Sequence, residues 1–335
     1  MMRRLLITGG CGFLGHHLVE HFLKKTDAEI VVLDKLTYAS AGFDRLRDIS
    51  VFDDKRVHIL GCDLSQPVPE GIAREVGEVD AVIHAAAETH VDRSIGDPMP
   101  FLQSNVIGTH HLLWWMRSVR PKRIILVSTD EVYGPAQFGD DIAGFNEQAA
   151  FRPANPYAAA KAGGEAVAMA YANTYRLPIT IANTMNLIGE RQHPEKFVPM
   201  VIRRALSGEK VLIHADPTKT FSGTRFYLHA RTYADALGFL LAMDGEPPLK
   251  VHVCGEREIS NLDFAKLLAR FVGKQLNYEL VDFHSSRPGH DLRYCMDDRL
   301  IRKLGWERPM VLEDSLEKMV RWYLNNPRWL ELGAS

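Results

Sequence analysis

Tyr157 and Lys161 stand four residues apart, so on a helix both project from one face. An ammonium beside a phenol lowers the phenol pKa, and an oxidised nicotinamide overhead would add positive potential. Bringing a tyrosine from ~10 to ~6–7 takes about 4–5 kcal/mol of preferential stabilisation of the phenolate. Two cationic neighbours in a partly dry site can supply that. Upstream, Ser128-Thr129-Asp130-Glu131-Val132-Tyr133-Gly134 closes an apolar run. Thr129 can hydrogen-bond a hydroxyl that is losing its proton to Tyr157. Asp130 and Glu131 are adjacent carboxylates, which repel and can settle into different protonation states if partly buried. One acid beside one base suits elimination of water, where one proton leaves carbon and another reaches the departing hydroxyl. Alone, a Tyr-x-x-x-Lys pair also occurs on plain helix surfaces, and an Asp-Glu pair in solvated turns. Position decides between the readings.

The elements that must position these residues alternate short apolar runs with helical periodicity, the pattern of a doubly wound parallel sheet. Strands are expected at Arg4–Thr8, Ile30–Asp34, Val57–Leu60, Ala81–His84, Arg123–Ser128 and Ile179–Asn183, and helices at Gly15–Lys24, Asp97–Val119 and Pro156–Tyr175. Asp97-Pro98 reads as an N-cap followed by proline at the first helical position. On this plan Ser128–Gly134 lies at the C-terminal end of the fifth strand, where open α/β sheets bind ligands. From about Asn186 the texture changes to mixed helix, short strand and Pro/Gly-punctuated loop. The expected fold is therefore α/β: a doubly wound parallel-sheet Rossmann core over residues 1–186, carrying the chemistry, and a smaller C-terminal α/β substrate-binding lobe over 187–335. A chain crossing between the two is compatible with this pattern.

Thr8-Gly9-Gly10-Cys11-Gly12-Phe13-Leu14-Gly15 joins the first strand to the first helix. Glycine is needed where the turn takes positive φ and where a Cβ would hold the backbone off a pyrophosphate, while the helix start offers free N–H groups. Asp34, at a strand end 19 residues past Gly15, can accept from an adenosine ribose hydroxyl and would repel a 2′-phosphate. NAD is the expected cofactor; Lys35 weakens the preference over NADP. Asp63 fits a third-strand position that could meet the adenine, or caps a turn. Ala85-Ala86-Ala87 after the fourth strand would let backbone approach the cofactor, or is ordinary packing.

The composition narrows the class without touching the chemistry. The 335 residues carry 40 Lys+Arg against 42 Asp+Glu, a formal charge of -2, which offers no basic footprint for nucleic acid. The four cysteines (Cys11, Cys62, Cys254, Cys295) form no CxxC pair and no zinc spacing, so reduced thiols in a cytoplasmic protein are expected. The histidines form no metal spacing. A strand pattern begins at Leu5, leaving no room for a signal peptide, and no apolar run approaches the ~18 residues of a membrane helix. The run Ala236 to Met243 reads as core helix.

These residues resemble the extended short-chain dehydrogenase/reductase superfamily and, within it, the dTDP-glucose 4,6-dehydratase family, over nearly the whole chain. The likeness runs through Thr8–Gly15, Asp34–Ala39, His84–Ile95, Ser128–Gly134, Pro156–Lys161, His193–Lys196, Asn261–Asp263 and Arg287–Tyr294. The Asp130-Glu131 pair is its specific part. The resemblance implies an internal redox cycle. Tyr157 takes the proton from a hexose C4 hydroxyl while C4 gives hydride to NAD, Glu131 removes the acidified C5 proton, and Asp130 protonates the C6 hydroxyl as it leaves. Hydride then returns to C6, giving a 4-keto-6-deoxy sugar nucleotide. It further implies that Gly9, Gly12, Phe13, Leu14, Gly15, Asp34, Lys35, Thr37, Asp63, Leu64, Ala85, Ala86, Ala87, Val127, Tyr157 and Lys161 surround the cofactor. For the substrate it points to Thr89, Asn186, Glu195, Lys196, Phe197, His214, Arg225, Asn261, Arg287, His290 and Tyr294. Arginines at 225 and 287 suit a pyrophosphate, since a guanidinium fork matches it. A homodimer is implied as well.

The chain departs from that family at Leu187-Ile188-Gly189-Glu190 and across His214–Tyr227, where Asp216–Thr224 is longer than the family's turn. The nucleotide base stays open among thymidine, uridine, cytidine and guanosine. The stretch between Tyr133 and Tyr157 is short, which trims any lid. A sugar-nucleotide 4-epimerase would use Tyr157, Lys161 and NAD without an acid pair. A cofactor-sensing regulatory protein would have no use for all five catalytic candidates.

Overall fold

A computed structural model describes residues 2–137, 144–282 and 292–331. Seven strands form one parallel sheet: β1 (Arg4–Thr8), β2 (Glu29–Asp34), β3 (Val57–Gly61), β4 (Ala81–His84), β5 (Arg123–Thr129), β6 (Ile179–Thr184) and β11 (Lys250–Val253). Their spatial order is β11-β6-β5-β4-β1-β2-β3, and the order reverses between β1 and β4. Pairings such as Thr8↔His84 and Thr129↔Thr184 bring the C-terminal strand ends to one edge. The six sequence-expected strands agree to within a residue at each end.

The strands read as continuous apolar runs because both faces are covered. Leu5, Ile7, Ile30, Val32 and Ile125 pack under the helices Phe13–Lys25 and Ala230–Ala242. Leu6, Val31, Leu33, Ile124 and Leu126 face the opposite layer, which includes Gly108–Val119 and Pro156–Tyr175. Each such side chain, fully buried, contributes about 1.5–3 kcal/mol. The expected helix Asp97–Val119 is a helix of mixed pitch: α-helical at Met99–Leu102, π-helical at Gln103–Ile107 and α-helical again at Gly108–Val119. Asp97 Oδ1 accepts from the Met99 amide at 3.2 Å, one residue ahead of the Pro98 N-cap.

Beyond β6 the chain forms small pairs: β7 (Leu187–Ile188) with β10 (Leu228–His229), β8 (Val211–Ala215) with β13 (Tyr278–Asp282), and β9 (Thr224–Phe226) with β12 (Glu258–Ser260). The helices Phe197–Ser207, Asn261–Val272 and Leu312–Asn325 bury a second core with them. The chain leaves this lobe twice: first to lay helix Ala230–Ala242 on the main sheet and add β11 beside β6, then to bury Ile301 and Trp306 in the same core.

Candidate active site

The glycine-rich turn is shaped for close approach. Gly9 has φ +71°, and a Cβ there would meet the Ala86 backbone at 2.8 Å. At Gly15 a Cβ would collide with the Gly9 carbonyl oxygen. Gly12 caps helix Phe13–Lys25 without a side-chain bond, which leaves first-turn amides for an anion. Gly9 and Gly12 line a cleft with Asp34, Lys35 and Thr37 on one side. Asp63 and Leu64 close it at the third strand, and Ala85, Ala86 and Ala87 at the fourth. Asp34 accepts from the Cys11 amide at 3.0 Å and the Leu36 amide at 2.8 Å, fixing its carboxylate. Burial raises its pKa against those two bonds. Lys35 Nζ lies 3.4 Å from Glu88 Oε1. Asp63 also caps a turn, accepting from the Ser65 amide at 2.9 Å. Phe13 turns toward His17 and Gly189.

His84, unassigned by the sequence, backs this cleft. Its Nδ1 lies 2.7 Å from Thr8 Oγ1 and its Nε2 3.1 Å from Thr109 Oγ1. Burial pushes its pKa down to about 3, so the ring is neutral. Within the π-helical turn, Asn105 bonds the Glu88 amide and carbonyl, tying the helix to the loop after β4. The cradle without Cβ atoms, the uncapped helix start and the fixed Asp34 together fit a dinucleotide.

The end of β5 and the start of helix Pro156–Tyr175 bring the catalytic candidates together. Thr129 caps the short turn Asp130–Tyr133, accepting from the Glu131 amide at 3.3 Å and donating to Asp130 Oδ1 at 2.9 Å. Asp130 is buried, and its Oδ2 has no hydrogen-bond partner among the described residues. Burial, then the charge of Glu131, pushes its pKa up to about 7. Glu131 is more open and accepts from Asn155 Nδ2 at 3.0 Å. The two carboxyl groups therefore occupy different environments.

Asn155 escaped the sequence reading. Its Oδ1 accepts from the Ala158 amide at 2.8 Å, so one side chain caps the helix and holds Glu131. The Asn155-Pro156 step was the available signal. Tyr157 is buried edge-on to Phe101, and its amide donates to Ser94 Oγ at 3.1 Å. Lys161 Nζ donates to the Val127 carbonyl at 2.7 Å. Burial lowers the Lys161 pKa to about 8, opposed by Glu165. At the phenol itself burial, then Glu131, raises the pKa, while a hydrogen bond to Thr129 lowers it. Lys161 spends its short bond on the Val127 carbonyl, so desolvation dominates at the hydroxyl.

The substrate candidates divide into two groups. Thr89 is exposed in the loop before Val91–Gly96. Its neighbour His90 and Arg93 reach Glu195 at 3.5 and 3.7 Å, so that loop meets the Glu195-Lys196 segment. Lys196 is the N-cap of Phe197–Ser207, and Phe197 stacks on Phe264 inside the lobe. In the second group, the Arg225 guanidinium lies 4.6 Å from the centroid of the buried Tyr294 ring and donates to the carbonyls of Thr224 and Leu292. Its charge also reaches Asp130. Asn261 accepts from the Tyr227 hydroxyl at 2.7 Å, and its amide donates to the Gly223 carbonyl. The His214 carbonyl also accepts from Gly223, at the end of β8. Asn186 is exposed beside β7. Arg287 and His290 lie outside the described residues, as does part of the trimmed segment after Tyr133. Among the described residues there is no cluster fit for a metal ion, and no helix is long and apolar enough to cross a membrane.

A family model described as GDP-mannose 4,6 dehydratase matches residues 6–319. A dTDP-glucose 4,6-dehydratase of Escherichia coli is 34% identical over 98% of this chain and 94% of its own. A trifunctional Arabidopsis thaliana protein with UDP-glucose 4,6-dehydratase in its name is 35% identical over 98% of this chain and 48% of its own. A solved Streptomyces venezuelae dTDP-glucose 4,6-dehydratase with NAD bound is 35% identical, with a TM-score of 0.84 over 98% of this chain and 99% of that one.

Proposed function

The chain belongs to the GDP-mannose 4,6-dehydratase family of extended short-chain dehydrogenase/reductases, and we propose that Tyr157, Glu131 and Asp130 divide among them the proton transfers of its reaction. The protein is an NAD-dependent hydro-lyase that carries out 4,6-dehydration of a sugar nucleotide. NAD, when bound, supplies the hydride acceptor for C4 oxidation and the donor for reduction at C6. The turn at Gly9–Gly15 would hold its pyrophosphate, Asp34 the adenosine ribose, and Lys161 the nicotinamide ribose.

Tyr157 takes the proton of the C4 hydroxyl, and the Thr129 hydroxyl, which donates to Asp130 Oδ1 at rest, would turn its proton to the phenolate. Positive charge from Lys161 and the oxidised nicotinamide would offset the burial that otherwise holds the phenol protonated. The C4 ketone then acidifies C5–H, and Glu131, oriented by Asn155, removes that proton. Asp130, its pKa raised to about 7, gives its proton to the C6 oxygen as water leaves. The observation that carries this reading is the unequal acid pair at the end of β5. Epimerisation needs no such pair.

Arg225 and Arg287 would neutralise the pyrophosphate, helped by Tyr294, whose ring lies against Arg225, and by Asn261. Thr89, Glu195 and Lys196 would face the hexose. Relatives named for dTDP- and UDP-glucose both lie at about this distance, which supports a glucose nucleotide with the base undecided. A homodimer is supported by exposed apolar side chains on the segment Gln103–Val119 and on helix Pro156–Tyr175: Trp114 is 54% exposed, Ile107 43% and Met169 39%. Four free, buried cysteines accord with a reducing cytoplasm. The test is incubation with dTDP-, UDP-, CDP- and GDP-hexoses, followed by mass analysis. Loss of one water from at least one of them is expected. An isomer of unchanged mass would replace this reading with the epimerase, and no product from any would remove both.

A further inference from the structure

Glu165 lies four residues beyond Lys161 on the same helix and is wholly buried. Its Oε1 accepts from Ser128 Oγ at 2.5 Å and from Asn183 Nδ2 at 2.6 Å. Asn183 Nδ2 also donates to the Thr129 carbonyl at 3.0 Å, so this carboxylate is fastened to the strand end that carries the acid pair. Its Oε2 lies 2.6 Å from Lys250 Nζ, with side chains 0% and 9% exposed. Lys250 opens β11, the strand that arrives late from the lobe. Its ammonium stands 4.5 Å from the Phe151 ring centroid and 5.3 Å from that of Tyr133. Two residues on, His252 Nε2 lies 2.7 Å from the Tyr133 hydroxyl. One strand thus grips both the catalytic turn and the carboxylate behind it.

The surrounding groups leave this pair as the local balance of charge. Burial pushes His252 down to about 4, and Tyr133 is raised by burial, so both are neutral near pH 7. Glu147 accepts from the His252 amide on the far side of β11. Lys161 faces Glu165 along the helix and His84 across it. Tyr157 faces Glu131, Asp130 and Thr129. A buried ion whose partner is removed cannot be screened by water. Its field then falls on the next titratable group, here Lys161 and, one turn further, Tyr157.

We propose that Glu165 and Lys250 are positioning residues: a buried, balanced ion pair that holds the Ser128–Thr129 strand end and keeps the potential at Lys161 and Tyr157 near neutral. This rests on Tyr157 being the base. Glu165→Gln leaves Lys250 uncompensated, which favours loss of protons nearby. The acid limb of kcat/KM should move to lower pH. Lys250→Met leaves Glu165 uncompensated and should move the limb to higher pH. Glu165 is eight residues from Tyr157, about 12 Å of helix rise. At an effective dielectric of ~20, one charge at that distance shifts a pKa by about one unit.

The experiment measures the acid limb on NAD-saturated wild type, both single variants, the double variant and Lys250→Arg. Opposite shifts in the singles, with the double and Lys250→Arg returning to wild type, are expected. Equal shifts, or lost activity with unmoved limbs, would overturn the proposal in favour of packing alone. If a single variant fails to fold, the double carries the test, because a displaced limb there is incompatible with a balanced pair. A tyrosinate absorbance titration, taken as each protein minus its own Tyr157→Phe counterpart, reads the same shifts without turnover. Opposite shifts in that titration with no hexose nucleotide dehydrated would keep the pair and remove the function; unmoved titrations beside normal dehydration would do the reverse.

Discussion

The Asp130→Asn variant should gain stability relative to wild type as pH rises, even though the substitution stops dehydration. The folded protein holds the Asp130 proton up to about pH 7, whereas the unfolded chain releases it near 3.8. Between those values the folded state binds more protons, so the contribution of this group to stability falls as pH rises. The full penalty approaches about 4 kcal/mol, and roughly 2–3 kcal/mol of it develops between about pH 5 and about pH 8.5. Asparagine escapes that penalty. Its amide should keep the bond from Thr129 while placing N–H groups where Oδ2 now has no partner, a cost of about 1–3 kcal/mol that does not vary with pH. The quantity to measure is therefore the change with pH of the stability difference between variant and wild type. Urea unfolding of both, with NAD saturating, gives it. The difference should widen in favour of the variant by roughly 2–3 kcal/mol over that range. A difference that stays constant would refute the claim that Asp130 is kept protonated, and with it the assignment of the acid.

Tyr157→Phe should abolish formation of reduced nicotinamide in a single turnover; persistence of that absorbance would reassign the first base. Glu131→Gln should still permit C4 oxidation but slow deuterium exchange at C5 by roughly 10²–10⁴-fold, and unchanged exchange would remove Glu131 from that step. Gly9→Ala forces a Cβ to 2.8 Å from the Ala86 backbone at positive φ, so the purified variant should carry little NAD and lose about 1–3 kcal/mol of stability. Full cofactor content would contradict the close approach. Asn155→Ala should cost about 1 kcal/mol as a lost helix cap and also depress kcat more than it changes KM, because it releases Glu131. A stability loss with normal kcat would confine Asn155 to capping.

The main sheet was legible because its strands are buried on both faces. Leu5-Leu6-Ile7 and Ile124-Ile125-Leu126 are apolar without alternation, and glycine or an acid marks where each strand ends. The acid pair and the Tyr157–Lys161 spacing were equally plain, since each depends on short-range geometry. What was hidden depends on partners far away in the chain. Lys250-Val251-His252-Val253 is a short run with charge and ring interspersed, and only pairing with β6 makes it part of the sheet. Glu165 reads as one more helical acid until Lys250 is brought against it. The π-helical turn at Gln103–Ile107 keeps a helical pattern of residue types, so its altered pitch left no trace. The burial of the phenol was hidden too: spacing puts Lys161 on its face, but does not show that the ammonium's short bond goes to the Val127 carbonyl.

The late arrival of β11 sets an order on assembly of the site during synthesis. Ribosomes release domains from the N-terminus, and contacts distant in sequence close last. All five catalytic candidates have emerged by Lys161, yet the bond from Tyr133 to His252 spans 119 residues. Until Lys250 follows, the nascent chain carries Glu165 without its counter-ion. A growing polypeptide can therefore form the cofactor turn early, while its chemistry waits until most of the message has been read.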